Sequence, residues 1–194
     1  MTAGRPRAFD METTLDRALA VFWRQGYEGT SVADLTKAMG ISPPSLYAAF
    51  GNKEGLFRGA LDRYVEKTSA YLREAMAEPT ARAAVAKLLR GNVERLTDPE
   101  MPNTCMLVSG ALSCSEAAGD IRDELAARRA GIEHALRDRF VQARAAGDLP
   151  GDADPVALAR YVATVTQGMA VQATGGASRK ALMQVVDMVL HTFP

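Results

Sequence analysis

Two cysteines, two histidines and one tryptophan in 194 residues leave little of the chemistry on which metalloproteins and many enzymes depend. Two cysteines cannot build the disulfide framework that staples small secreted domains. An excess of charge of one sign is missing as well, because 23 basic side chains balance 23 acidic ones. Bulk positive charge, the usual footprint of a nucleic-acid binder, is therefore absent. No apolar run approaches the ~18 residues of a membrane span. The opening stretch Met1-Thr2-Ala3-Gly4-Arg5-Pro6-Arg7 has no apolar segment of the signal-peptide kind. A soluble cytoplasmic protein without a membrane partner is expected. No serine-nucleophile motif, phosphate-binding glycine loop or paired carboxylate stands out, so no catalytic residue, metal or cofactor is expected.

What the chain does have is helical periodicity. Hydrophobic residues make up 47% and charged residues 24%, a balance that supports a packed core. Leu15, Ala18, Leu19, Phe22 and Trp23 recur at i, i+3, i+4, i+7 and i+8 and form one apolar stripe. Asp10 reads as the N-cap of that helix and Gly26 as its stop, which predicts a helix over 11–25. Ser31-x-x-Asp34 has the form of a capping box and opens a short helix through Met39, broken by Gly40. Ser42 caps the next helix with Pro43 at its first position, where the missing N–H costs nothing. It ends near Phe50-Gly51. Asn52 opens a long helix to about Ala77, and further helices are expected over about 80–97, 104–117, 120–146, 154–174 and 178–192. No alternating strand pattern competes. The expected fold is all-α with about nine helices, three small ones followed by six larger.

The sharpest pattern lies at 31–50. A short helix, a Gly-containing turn and a second capped short helix make the bihelical unit whose second member enters a DNA major groove. Val32, Leu35 and Met39 would face Ile41, Leu46 and Phe50 and set the crossing. The segments Thr30-Ser31-Val32-Ala33-Asp34-Leu35, Met39-Gly40-Ile41-Ser42, Ser45-Leu46-Tyr47, Phe50 and Asn52-Lys53-Glu54-x-Leu56-Phe57 resemble the signature of the TetR family of bacterial regulators. The resemblance covers residues 9–61.

The resemblance implies a flexible arm over 1–8, a helix-turn-helix domain over 9–54 and an effector-binding and dimerisation domain over 55–194. It implies that Ser42 to Ala48 form the recognition helix, with Pro43, Pro44, Ser45, Tyr47 and Ala48 facing the groove. Thr30, Ser31, Tyr47 and Lys53 would contact phosphate. The expected partners are double-stranded DNA with a palindromic operator, a second copy of the chain, and an unidentified small effector. The expected function is a ligand-responsive repressor, with an activator or a redox- or metal-responsive regulator acting through Cys105 or Cys114 as the alternative.

Charge must then be placed locally. Over residues 1–60, seven basic residues (Arg5, Arg7, Arg17, Arg24, Lys37, Lys53, Arg58) face six acidic ones (Asp10, Glu12, Asp16, Glu28, Asp34, Glu54), a balance of only +1. The segment Ser42-Pro-Pro-Ser-Leu-Tyr-Ala-Ala-Phe50 holds no Arg, Lys, Asn or Gln, and so lacks the bidentate readers of guanine and adenine. Its hydroxyls and small apolar surfaces suit thymine methyls and DNA shape. Lys53 stands at a helix start, where the dipole disfavours a cation, and a phosphate is its natural partner. Arg5 and Arg7 could enter a minor groove from the arm.

Beyond residue 65 the resemblance implies an effector pocket among the middle helices and a dimer interface on the last two. Tyr71, Met76, Cys105, Met106, Leu112, Tyr161, Thr164 and Gln167 are the pocket candidates, and they suit a mostly apolar ligand. Val162, Val165, Met169, Leu182, Val185, Val186 and Val189 are the interface candidates. Cys105 and Cys114 stand half a turn out of phase at ~100° per residue, so they cannot clip a metal as an i, i+4 pair could. His134 reads as a surface or boundary residue, and His191 stands in the last helical turn, where the C-terminal dipole end favours it.

Overall fold

The computed structural model describes residues 10–113 and 118–194, apart from the side chains of 111–113. These residues form helices and no strand. In chain order the helices are α1 (Met11–Gln25), α2 (Val32–Met39), α3 (Pro43–Phe50), α4 (Lys53–Thr68), α5 (Ala70–Met76), α6 (Ala81–Leu96), α7 (Met106–Ser113), α8 (Gly119–Ala145), α9 (Pro155–Thr174) and α10 (Arg179–Thr192). The chain divides into two compact units, Met1–Val65 and Glu66–Pro194.

Local chemistry sets the ends of the first helices. The Asp10 carboxylate accepts from the Glu12 N–H at 3.2 Å. Ser31 and Asp34 form the capping box in both directions. Gly40 closes α2 at φ 70° and ψ 31°, the left-handed region that glycine enters without strain. Ser42 accepts from the Ser45 N–H at 3.3 Å, and Asn52 from the Gly55 N–H at 2.7 Å, so α3 and α4 are capped in turn.

The core of the first unit sets ring pairs among aliphatic side chains. Phe22 meets Phe57 edge-on at 5.0 Å, and Trp23 meets Tyr64 at 4.8 Å. Such pairs add about 0.5–1.5 kcal/mol each beyond the area they bury. The boundary that the resemblance implies after Glu54 falls near the start of α4, and the compact unit runs to Val65. Leu56, Phe57, Ala60, Leu61 and Tyr64 of α4 are all buried, and Phe57 and Tyr64 pack on the rings of α1.

The long helix expected over 52–77 is two helices. The interruption falls at Ser69, which has no side-chain cap bond. Its hydroxyl is taken by Arg73 one turn later. Serine and threonine bond their own neighbourhood and are neutral to poor in helix interiors, and here Thr68 and Ser69 stand together. This break accounts for ten described helices where about nine were expected. Apart from the end of α7, which adjoins residues outside those described, the other boundaries agree to within two residues.

In the second unit α6 packs against α5, α8, α9 and α10. Val85, Leu88, Leu89 and Val93 meet Leu136 and Phe140 of α8, Val162 and Met169 of α9, and Leu182 and Val186 of α10 in one buried cluster. Gly91 is required by the closeness of α5. A Cβ there would lie 2.9 Å from Tyr71 Cβ. A polar group is buried beside this core: the Asn92 amide donates to the Thr166 carbonyl at 3.3 Å, and its oxygen accepts from Arg95 at 3.5 Å.

Candidate nucleic-acid interface

The helix-turn-helix is fixed from below by apolar contacts. Leu35, Met39 and Leu46 are buried, while Val32, Ile41 and Phe50 are half-buried. Arg17 of α1 reaches across to donate to the Met39 carbonyl at 3.3 Å, tying α1 to the end of α2. With Leu46 turned inward, the opposite side of α3 is left to solvent. Ser42, Pro43, Pro44, Tyr47 and Ala48 are exposed there, and Ser45 is half-buried with its hydroxyl 2.9 Å from that of Ser42.

Ser31 is exposed at the start of α2. Its hydroxyl donates to Asp34 Oδ2 at 2.6 Å, and its backbone N–H donates to the same oxygen at 3.1 Å. These two bonds hold the Asp34 carboxyl below the ordinary aspartate value. Thr30 is different. It is 1% exposed, and its hydroxyl donates to the Gly26 carbonyl at 2.7 Å. The phosphate contact expected of its side chain is corrected: the hydroxyl closes the α1–α2 turn.

Lys53 is half-buried at the first position of α4, with Nζ 4.3 Å from the centroid of the Tyr27 ring. Glu54, the carboxylate beside it in sequence, pairs with Arg58 at 2.5 Å. Sequence reasoning does not single out Tyr27. Its only signal is an aromatic residue inside the turn Gly26-Tyr27-Glu28-Gly29, where polar residues are the rule. Arg5 and Arg7 lie outside the described residues, as does Cys114.

In the second unit the structure separates the pocket candidates. Tyr71, Met76, Cys105 and Gln167 are half-buried and Met106 is buried. The Leu112 side chain lies outside the described residues. Tyr161, 41% exposed, and Thr164 stand on the outer side of α9, so neither lines an interior pocket. Burial raises the Tyr71 phenol, against the opposing pull of the Arg95 guanidinium. Arg95 donates in addition to the Thr104 carbonyl at 3.2 Å. Tyr71 borders two open grooves, of about 420 and 280 Å³, along α5 and α6. Glu74 and Glu94 line both, and Lys87 and Arg90 line the larger. These rims are charged, unlike the apolar lining expected.

The interface candidates also need correction. Val162, Met169, Leu182, Val186 and Val189 are buried in this chain's own core, and Val165 is half-buried. Of the seven, only Val185 is exposed, at 38%. The outward stripes of α9 and α10 are offset from the inward ones and carry Tyr161, Val171, Val185 and Met188. Among the described residues no helix is long and apolar enough to cross a membrane, and no cluster of His, Cys, Asp and Glu could hold a metal ion.

Comparison with known proteins follows this division. Residues 15–60 match the model for bacterial regulatory proteins of the tetR family, and residues 79–189 match a tetracyclin repressor-like C-terminal domain. The chain is 37% identical over 193 residues to the HTH-type transcriptional repressor ComR of Escherichia coli, covering 98% of this chain and 92% of that protein. It is 33% identical over 161 residues to the HTH-type regulator YezE of Bacillus subtilis, covering 82% and 83%. Among solved structures it resembles a cysteine mutant of the regulator CifR complexed with 26-bp double-strand operator DNA. There the TM-score is 0.94 and the identity 46%, covering 98% of this chain and all of that one.

Proposed function

This chain belongs to the TetR family of bacterial transcriptional regulators, and from that premise we propose that it is a homodimeric repressor. It holds a palindromic double-stranded operator and releases it when a small molecule binds the second unit. Responsiveness to ligands is typical of the family.

The observation that carries the DNA part is the outer face of α3. Pro43, Pro44, Tyr47 and Ala48 stand exposed on a helix whose inner residue, Leu46, is fully buried. This face enters the major groove and reads thymine methyls and DNA shape, since it offers no bidentate side chain. Ser42 and Ser45 supply hydroxyls at its start. Ser31, Tyr47 and Lys53 take phosphates on either side, and Arg5 and Arg7 of the arm reach a minor groove.

Two such helices must stand about 34–36 Å apart to read a symmetric site. The second copy docks through the apolar outer faces of α9 and α10, where Val171, Val185 and Met188 are exposed. The effector contacts Tyr71, Met76, Cys105, Met106 and Gln167. With charged grooves beside Tyr71, it is an apolar body bearing a polar group rather than a purely apolar molecule. A regulator that works on bacterial chromosomal DNA acts in the cytoplasm.

Selection of bound duplexes from a random pool tests the proposal directly. It should return a two-fold symmetric site whose half-sites are one helical turn apart. Replacing thymine by uracil at the selected positions should weaken binding, because uracil lacks the methyl. No enrichment at low salt would sink the DNA-binding reading, and unchanged affinity with uracil would remove the methyl contacts alone.

A further inference from the structure

We propose that Tyr27 is the positioning residue for the phosphate contact of Lys53, holding its ammonium in place before DNA arrives. The inference rests on the DNA-binding reading above. Lys53 opens α4, where the aligned peptide dipoles disfavour a cation. Its Nζ is 4.3 Å from the Tyr27 ring centroid, inside the ~6 Å range over which a ring face attracts an ammonium.

The ring is itself fixed. It stacks on Phe22 at 6.4 Å and meets Phe57 at 5.1 Å, and those two rings meet each other at 5.0 Å. The backbone around it is fixed too. The Thr30 N–H donates to the Tyr27 carbonyl at 3.4 Å, and the Thr30 hydroxyl closes on Gly26. The buried threonine therefore serves the DNA surface indirectly, by shaping the turn that carries Tyr27.

A ring face suits this task better than a carboxylate would. A carboxylate takes the ammonium N–H groups as hydrogen-bond donors, and DNA would have to break that pair. The π face attracts one side of the ammonium and leaves N–H groups on the other side for a phosphate oxygen. A lysine already ordered loses less side-chain freedom on binding, so the contact is stronger for the same geometry.

The test nearly keeps the outline of the ring and varies its π electrons stepwise from phenylalanine onward. Phenylalanine and phenylalanines bearing one, two and three fluorines replace Tyr27 in the full chain, in Lys53 and Lys53→Gln backgrounds. The probe is a duplex from the DNA flanking the chain's own gene, titrated over a range of salt. Tyr27→Phe keeps the face and should keep the salt dependence. Successive fluorines should weaken binding stepwise, about threefold to tenfold over the series. With Lys53→Gln the series should be flat. The slope of log affinity against log salt should also be shallower by about 0.9 for each phosphate that Lys53 neutralises.

Tighter binding on fluorination would mean that the ring holds the lysine back, and would overturn the proposal. Equal weakening in both backgrounds would assign Tyr27 to folding alone, and a flat series with Lys53 present would show no coupling. In each of those results the unaltered chain still binds DNA, so the broader reading stands. If the unaltered chain binds no duplex even at low salt, both fall together.

Discussion

The two units reach stability by different routes. In both, side chains cap the helix starts: Asp10, Ser31 with Asp34, Ser42 and Asn52 in the first, and Thr80, Asp154 and Ser178 in the second. In the first, the rings of Phe22, Trp23, Phe57 and Tyr64 pair among the aliphatic residues of the interior. In the second, long helices pack through aliphatic residues on α6, α8, α9 and α10, and Phe140 with Phe193 is its one ring pair among those described. A small unit buries a smaller fraction of its surface, so aromatic contacts carry more of its stability. The difference also divides labour. The first unit leaves hydroxyls and small groups outside on α3, whereas the second leaves large apolar side chains outside on α9 and α10.

The largest effect should come from removing a ring. Phe57→Ala deletes a fully enclosed side chain that touches Phe22 and Tyr27, and should cost about 3–5 kcal/mol. Leu89→Ala in α6 should cost about 2–5 kcal/mol. If the units divide labour as described, Phe57→Ala abolishes DNA binding at a temperature where Leu89→Ala still binds. Thermal denaturation with parallel gel shifts measures this, and equal loss in both would break the comparison.

On α10 two neighbours should behave oppositely. Val186→Asp buries a charge in the chain's own core and should unfold the second unit. Met188, 65% exposed, should tolerate Asp in the folded chain. Met188→Asp should nonetheless shift sedimentation from dimer toward monomer. A Met188→Asp chain that stays fully dimeric would remove this face from the interface.

Glycines sharpen the packing side. Gly91→Ala places a methyl 2.9 Å from Tyr71 Cβ and must move α5, at about 1–3 kcal/mol. Gly131→Ala on α8 meets open space and should stabilise by about 0.5–1 kcal/mol. Chemical denaturation should therefore give opposite signs for the same substitution.

An effect well below those of the core changes belongs to the cap of α2. Ser31→Ala should cost about 1 kcal/mol. It should also change the pH dependence. A carboxyl held below its ordinary value contributes stability above the unfolded value of 3.8 and loses it as pH falls through the lowered folded value. The unaltered chain should thus lose part of its acid-side stability below about pH 4. Ser31→Ala, lacking the hydroxyl that sets the Asp34 shift, should lose less there, as acid titration of stability would show.

Much of the DNA-reading unit was legible because its signals are local. Ser31-x-x-Asp34, Gly40 and Ser42-Pro43 act over three or four residues, and the backbone answers them without distant help. The second unit was legible as helices but not as faces. Val162, Met169, Leu182 and Val186 are apolar on helices that could turn either side inward, and neighbouring Val171, Val185 and Met188 are equally apolar.

The sequence by itself determined the all-helical class, the ends of α1, α2 and α3, and the uncharged character of the recognition helix. Periodicity, caps and composition are properties of the chain alone. The tertiary structure decided which apolar stripe became core, since that depends on what each helix meets. It turned Thr30 inward to close a turn, and set Lys53 over a ring twenty-six positions earlier in the chain. No local rule links those two residues; packing of the α1–α2 turn against α4 does.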